Sequence, residues 1–286
     1  GVRGGTLGGG GVTANVNLIT DDYGTIGGGY GNQAGGNIGT TSDQAYATVA
    51  GGFANKARGS GATVGGGAGN TADGFSATVP GGNGNVATGY LSFAAGYRAQ
   101  ASHAGAFVWS DNSAVTNTAS TADNQFTARA AGGVRFFTSS DLSTGVTVAA
   151  GSGTWSMVSD RNAKDHFASV DGSKLLERLA AIPVSTWNYK SQDSSIRHMG
   201  PMAQDFRAAF GLGDDDKHIA TVDADGVSLA AIQALYQISK EKDQKIEQLT
   251  QQVSELQEIR KQMAILQARL VRLEKQSGNA GPSRAA

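Results

Sequence analysis

The chain has 286 residues, a formal net charge of −1, 42 glycines, 4 prolines and no cysteine. That excludes a disulfide framework and a cysteine metal site, leaves no electrostatic footprint for nucleic acid, and excludes collagen, which needs glycine at every third position and abundant proline. Glycine at about twice its usual ~7% share, with Val, Ile, Ala and aromatics at regular spacing, points to a repetitive β-structure rather than a disordered chain. The absence of cysteine fits an extracellular protein built without disulfides. The chain shows no transmembrane run and no signal peptide. Because Gly1 is not an initiator methionine, it is read as part of something longer, whose missing segment would hold a secretion signal or particle anchor.

Residues 1–108 repeat. Val49-Ala50-Gly51-Gly52-Phe53-Ala54-Asn55-Lys56-Ala57-Arg58-Gly59 is followed by Val64-Gly65-Gly66-Gly67-Ala68-Gly69-Asn70-Thr71-Ala72-Asp73-Gly74. Next comes Val79-Pro80-Gly81-Gly82-Asn83-Gly84-Asn85-Val86-Ala87-Thr88-Gly89, then a degenerate copy from Phe93, at spacings of 15, 15 and 14 residues. An earlier copy starts at Ile26 and is followed by an insertion. Each copy reads as a short strand, a glycine turn, a second strand around Asn-x-Ala and another glycine turn. The Val or Ile and the small Ala form the inward layer. One such coil has too little core to stand alone, and stacking supplies it.

These repeats resemble the head of trimeric autotransporter adhesins of the YadA type. The resemblance implies a left-handed β-roll in which three chains pack side by side and bury apolar residues between them. Gly-Gly where that family has Ile-Gly implies a thinner inner layer. A monomeric glycine-rich solenoid and a silk-like low-complexity segment are the other readings the repeats admit.

Residues 109–158 read as a β stem. Trp109 ends the repeat pattern, and Ser110 to Thr121 is loop or irregular β. Residues 124–130 and 134–138 alternate on either side of Gly132-Gly133, which predicts a hairpin. Residues 145–148 and 154–158 read as two further strands. Arg129 and Arg135 are read as a solvated strand face rather than a binding pair.

At residue 159 the composition changes, and Ser159-Asp160-Arg161-Asn162-Ala163-Lys164 sits at the seam. Beyond it the pattern predicts a helix over 174–181 stopped before Pro183, strands at 184–189 and 197–200, and a helix over 202–210 ended by Gly211. Asp223-Ala224-Asp225-Gly226 begins like a calcium loop but lacks the third acidic position and the closing Glu. No metal is expected there, and Asp225 is read as a helix cap. A helix from about Val227 to Lys275 would be roughly 70 Å long. Its apolar seam runs Ile246, Leu249, Val253, Leu256, Ile259, Met263, Leu266, Leu270 and Leu273, with one short step between Leu256 and Ile259. Ile or Val at a with Leu at d by itself favours two strands.

Ser159-Asp160 with Lys164, followed by Trp187-Asn188-Tyr189, by the run from Arg197 to Asp205 containing His198 and Gln204, and by a long helix, resembles the endosialidase-type intramolecular chaperone, peptidase S74. This is the self-cleaving C-terminal module of phage tail spikes and some bacterial fibres. The resemblance implies trimers in place of the two-stranded coil and cleavage between Val158 and Ser159. It assigns Ser159 and Lys164 as catalytic, with Asp160, His198 and Gln204 supporting, His198 standing where that family needs a histidine for processing. Asn162 and Ala163 replace the Arg and Leu more usual between the serine and the lysine.

The residues themselves permit this chemistry. Serine and a neutral lysine make a nucleophile–base dyad, provided the lysine is desolvated. Positions i and i+5 do not share a helix face, so Ser159 must be extended and Lys164 must turn back to it. The plainer alternative is an N-cap serine beside a solvated lysine. A conventional hydrolase is not supported, since no Gly-x-Ser-x-Gly elbow is present.

Together these readings predict a multi-domain homotrimeric fibre. It would comprise a left-handed β-roll head (1–108), a β stem (109–158), a small α+β chaperone domain (159–226), a trimeric coiled coil (227–276) and a disordered tail (277–286). The expected location is extracellular, on a bacterial surface or a phage-like particle. A glycan or protein receptor on a host cell would be the partner, with no cofactor, no nucleic acid and no membrane insertion. Two rivals are a fibre whose C-terminal domain stays attached as a permanent trimerisation cap, and a glycan-cleaving enzyme, for which no paired carboxylates speak.

Overall fold

The structure, a computed structural model, describes residues 1–278. It divides into two compact units, the first ending at Asp165 and the second beginning at His166.

The first unit is a parallel β-solenoid. One sheet is laid down turn by turn by Thr6–Leu7, Thr25–Ile26, Thr48–Val49, Thr63–Val64, Thr78–Val79, Phe93–Tyr97, Phe107–Ser110 and Phe126–Arg129. The other is built by Leu18–Ile19, Gln33–Ala34, Lys56–Ala57, Thr71–Ala72, Val86–Ala87, Ala99–Ala101 and Thr118–Ala119. Like residues stand over like: Ile26 pairs with Val49, Val49 with Val64, and Val64 with Val79. These four and the alanines 57, 72 and 87 are fully buried, so the expected inward layer of Val, Ile and Ala is the core. Each buried Val contributes about 1.5–3 kcal/mol, and alternation within a two-residue strand turns the preceding Thr outward.

The interior also holds a row the sequence reading had not placed there. Asn32, Asn55, Asn70 and Asn85 are buried to 1% or less. The Oδ1 of each of the first three accepts the next asparagine's backbone N–H, as Asn32 does from Asn55 at 3.0 Å and Asn55 from Asn70 at 3.0 Å, and Asn85 Oδ1 accepts from Ala99 N at 2.9 Å. Each Nδ2 bridges two glycine carbonyls, Gly66 and Gly82 for Asn70, both at 2.9 Å. At the tight corner the amide thereby satisfies the Gly66 carbonyl and adds a second bond to the Gly82 carbonyl, which also accepts from Ala68 N at 3.0 Å. The second glycine of each Gly-Gly pair is needed there. Gly67 has φ +84°, and a Cβ on it would lie 2.0 Å from Gly82 O in the next turn.

The parallel ladder runs past residue 108, where the repeats were expected to end. Residues 126–129 do not form a hairpin arm with 134–138; they lie parallel on Phe107–Ser110. The reason is the Phe93–Phe107–Phe126 stack, with ring centroids 4.5 and 5.0 Å apart, a contact that outweighs the nearby glycine turn. Residues 133–137 instead pair antiparallel with Gly145–Ala149, which also pairs with Ser156–Met157. Arg129 is not on a solvated face. Its Nε meets Asp111 Oδ1 at 3.0 Å, and its other nitrogens donate to the carbonyls of Asp111, Ala114 and Thr116, fastening the loop inserted after Phe107–Ser110. The guanidinium of Arg135 lies 5.2 Å from the Phe137 ring centroid.

In the second unit α1 (Gly172–Ala181) starts at Asp171, whose side chain accepts from Lys174 N, and stops before Pro183. Ser185–Trp187 and His198–Gly200 form an antiparallel pair. The next helix, α2 (Ala203–Phe210), ends at Gly211 in the left-handed region, φ 67°, the usual glycine stop. The last, α3 (Thr221–Gly278), has 58 residues and so spans about 87 Å. It starts a turn and a half before Val227: Ala220 O accepts from Asp223 N and Ala224 N. Asp225 is therefore inside the helix and does not cap it, and Asp223 is the acidic residue of the first turn. The tail expected at 277–286 begins with helical Ser277 and Gly278, and its remainder lies outside the described residues. Every residue of the apolar seam from Ile246 to Leu273 is exposed, from 47% at Leu249 to 63% at Leu273.

Candidate functional site

The site begins where the last β-strand of the first unit ends. Met157 is paired with Val146, and Val158 N donates to Gly145 O at 3.1 Å. The chain then leaves the sheet at Ser159. Asp160 is extended, φ −68° and ψ 134°, and its carboxylate accepts from Asn162 N at 2.9 Å. That caps one turn of 3₁₀-helix, Arg161–Ala163, after which Lys164 is extended again, φ −131° and ψ 151°. The turn brings Lys164 Nζ to 2.6 Å from Ser159 Oγ. The cap is made by Asp160; Ser159, the residue the plainer reading took as the N-cap, uses its oxygen for the lysine instead.

This contact has a definite chemical capacity. With the amine protonated, Nζ donates to Oγ. With the amine neutral, the same distance lets Oγ–H donate to Nζ, which is general-base geometry. Both residues are exposed in the single chain.

The other sequence-predicted residues lie in the second unit. His198 is half-buried in the short hairpin, its Nε2 2.8 Å from Gln192 Oε1 and its ring against Trp187 and Tyr189, with centroids at 4.8 and 5.4 Å. Arg197, named in the sequence only as part of the motif, donates to Thr186 O at 2.8 Å and Thr186 Oγ1 at 2.9 Å, locking the two strands together. Trp187 Nε1 is buried and has no hydrogen-bond partner among the described residues. Gln204 is exposed in the first turn of α2. Among the described residues no group of three or more His, Cys, Asp or Glu is placed to hold a metal, and no helix is long and apolar enough to cross a membrane.

The 159–164 turn and the 185–200 hairpin lie in one segment with a family counterpart. Residues 159–211 match the Peptidase S74 family, chaperone of endosialidase. The S74 match opens on Ser159 itself, at the point where the β-structure gives way. It takes in Lys164, the Trp187–Tyr189–His198 cluster and α2. No curated protein and no solved structure matches the chain. The chain thus joins a β-solenoid body to an S74 chaperone-of-endosialidase segment.

Proposed function

We propose that this chain is a homotrimeric surface or particle fibre, assembled by its C-terminal module, which then cuts itself off before Ser159. The observation that carries the reading is the 2.6 Å approach of Lys164 Nζ to Ser159 Oγ at the start of the S74 match, directly after the β-body. Ser159 Oγ attacks the carbonyl carbon of Val158 while Lys164 takes the hydroxyl proton. The C–N bond breaks, the nitrogen is protonated to the free amine, and an ester links Val158 to Ser159. Water then hydrolyses it, leaving a Val158 carboxylate and restoring the hydroxyl. The nucleophile belongs to the residue next to the scissile bond, so the attack is intramolecular. Burial on assembly would favour the neutral amine, restricting cleavage to chains that have assembled. His198, fixed by Gln192 and the two rings, and Gln204 are the supporting residues of this proposal.

Trimer formation is supported by the exposed seam on α3 and by the solenoid's thin core of Val, Ile, Ala and Asn. In YadA-like fashion, three rolls would pack side by side, outside the cell or on a particle, and present a surface to a glycan or protein receptor. The test is a denaturing gel after native assembly. Wild type should give two bands, one ending at Val158, while Ser159→Ala and Lys164→Ala stay full length. A wild-type chain that assembles as a trimer yet stays full length would leave the permanent cap as the better reading.

A further inference from the structure

We infer that Asp160 is a positioning residue for the Ser159–Lys164 pair, its carboxylate holding the single turn that returns the lysine to the serine. The functional consequence rests on the self-cleavage reading; the positioning does not.

Five residue steps in extended chain would carry Lys164 roughly 17 Å from Ser159, beyond the reach of one side chain. The 3₁₀ turn, rising only about 2.0 Å per residue, closes that gap. The turn has three residues and none is buried, so packing in the chain does not hold it. Its two backbone bonds, Ala163 N to Asp160 O and Lys164 N to Arg161 O, are both long at 3.2 Å. The remaining bond, Asn162 N to Asp160 Oδ1, is the shortest at 2.9 Å and has a carboxylate acceptor. Upstream, the chain is anchored by Val158 N on Gly145 O. With one arm fixed by the sheet, occupancy of the Ser159–Lys164 contact depends on whether the turn forms, and Asp160 is the side chain that decides it.

A helix-capping role makes a specific demand: Asn and Ser, which also accept at an N-cap, should replace Asp, and Ala should not. Two measurements on the full chain test it. In the cleavage assay, Asp160→Ala should be roughly five- to thirty-fold slower than wild type. Asp160→Asn and Asp160→Ser should stay near wild type with an unmoved pH profile. In the second assay Ser159→Cys is alkylated across a pH series. A lysine held against the thiol favours the thiolate. Adding Asp160→Ala should therefore move the midpoint up towards that of a free thiol, about 8.5, and adding Asp160→Asn should not. An unchanged far-UV spectrum certifies that each variant has folded. The inference is overturned by an Ala variant that cleaves and alkylates like its parent, or by an Asn variant as impaired as Ala, which would assign the effect to charge. A wild-type chain that never cleaves defeats the self-cleavage reading, and the thiol series still decides the role of Asp160.

Discussion

Asn70 Oδ1 accepts the backbone N–H of Asn85 at 2.9 Å, fifteen residues along and one turn up the solenoid. The same side chain sends its Nδ2 to the carbonyls of Gly66 and Gly82. One amide therefore closes its own corner and the joint with the next. Asn70→Ala removes the side-chain partner of Asn85 N and Gly66 O, while Gly82 O keeps its bond from Ala68 N, and should cost about 1–3 kcal/mol, read as a lower urea midpoint for the first unit. Asn70→Asp keeps the acceptor, loses both donors and places a carboxylate in the interior. It should be the more damaging of the two at neutral pH and should recover in part on acidification, as the buried acid takes up its proton. Equal midpoints for wild type and Asn70→Ala would contradict the ladder.

Gly67 and Gly81 differ in what they tolerate. Gly67 needs a positive φ and has no room for a Cβ, whereas Gly81 has open space around it. Gly67→Ala should lose at least the about 1–3 kcal/mol of backbone strain, and more for the collision with Gly82 O. Gly81→Ala should stay within about 0.5 kcal/mol of wild type. Thermal midpoints of the two variants, measured side by side, check the ranking.

Asp111 ties the inserted loop to the last rung. The Ser113 hydroxyl, then the Ala131 N–H, and also the Arg129 guanidinium hold its carboxyl well below the usual carboxylate range. A depressed folded value means the contribution is present above the unfolded value, near ~3.9, and is lost as pH falls through the folded one. Asp111→Asn should therefore unfold earlier than wild type at neutral pH, and the gap should close below roughly pH 4. A gap that stays constant down to pH 2 would count against this carboxylate.

The α3 seam is expected to be the trimer contact. Leu256 is 60% exposed in the single chain, so Leu256→Lys has little to disturb there and should act on assembly. Light scattering at micromolar concentration should give a trimer for wild type and a smaller species for the variant. A monomeric wild type would remove the basis of the proposal.

Residues 1–158 should fail to reach the assembled state alone. Parallel rungs pair residues far apart in sequence, and interchain register adds to that delay, whereas helix formation is local. Once formed, the stem is held by its unfolding barrier. Expression of 1–158 should give aggregates; soluble, heat-resistant trimers from it would contradict a chaperone role for the remainder.

Much of this architecture was legible from spacing. The fifteen-residue period places Val49, Val64 and Val79 over one another, and only an inward position explains why all three are apolar. Gly211 after Phe210 reads as a helix stop, and Pro183 after Ile182 as another, because such signals act within a few residues. The expected hairpin at 124–138 failed for the converse reason. Alternation has the same period in a parallel rung as in a hairpin arm, and the choice was made by Phe107, nineteen residues before Phe126. The sequence places the asparagines in the second strand, around Asn-x-Ala, but not in the core, since a buried amide looks like an exposed one until the carbonyls it serves are known.

At the seam the sequence by itself supplied a serine and a lysine five positions apart, the acid between them, and the exclusion of a continuous helix. The tertiary structure decided that Asp160, not Ser159, caps the turn, and that the turn ends with Nζ against Oγ at 2.6 Å. That distance depends on where the sheet releases the chain at Val158 and on a single capping bond, and neither is encoded in the spacing of Ser159 and Lys164.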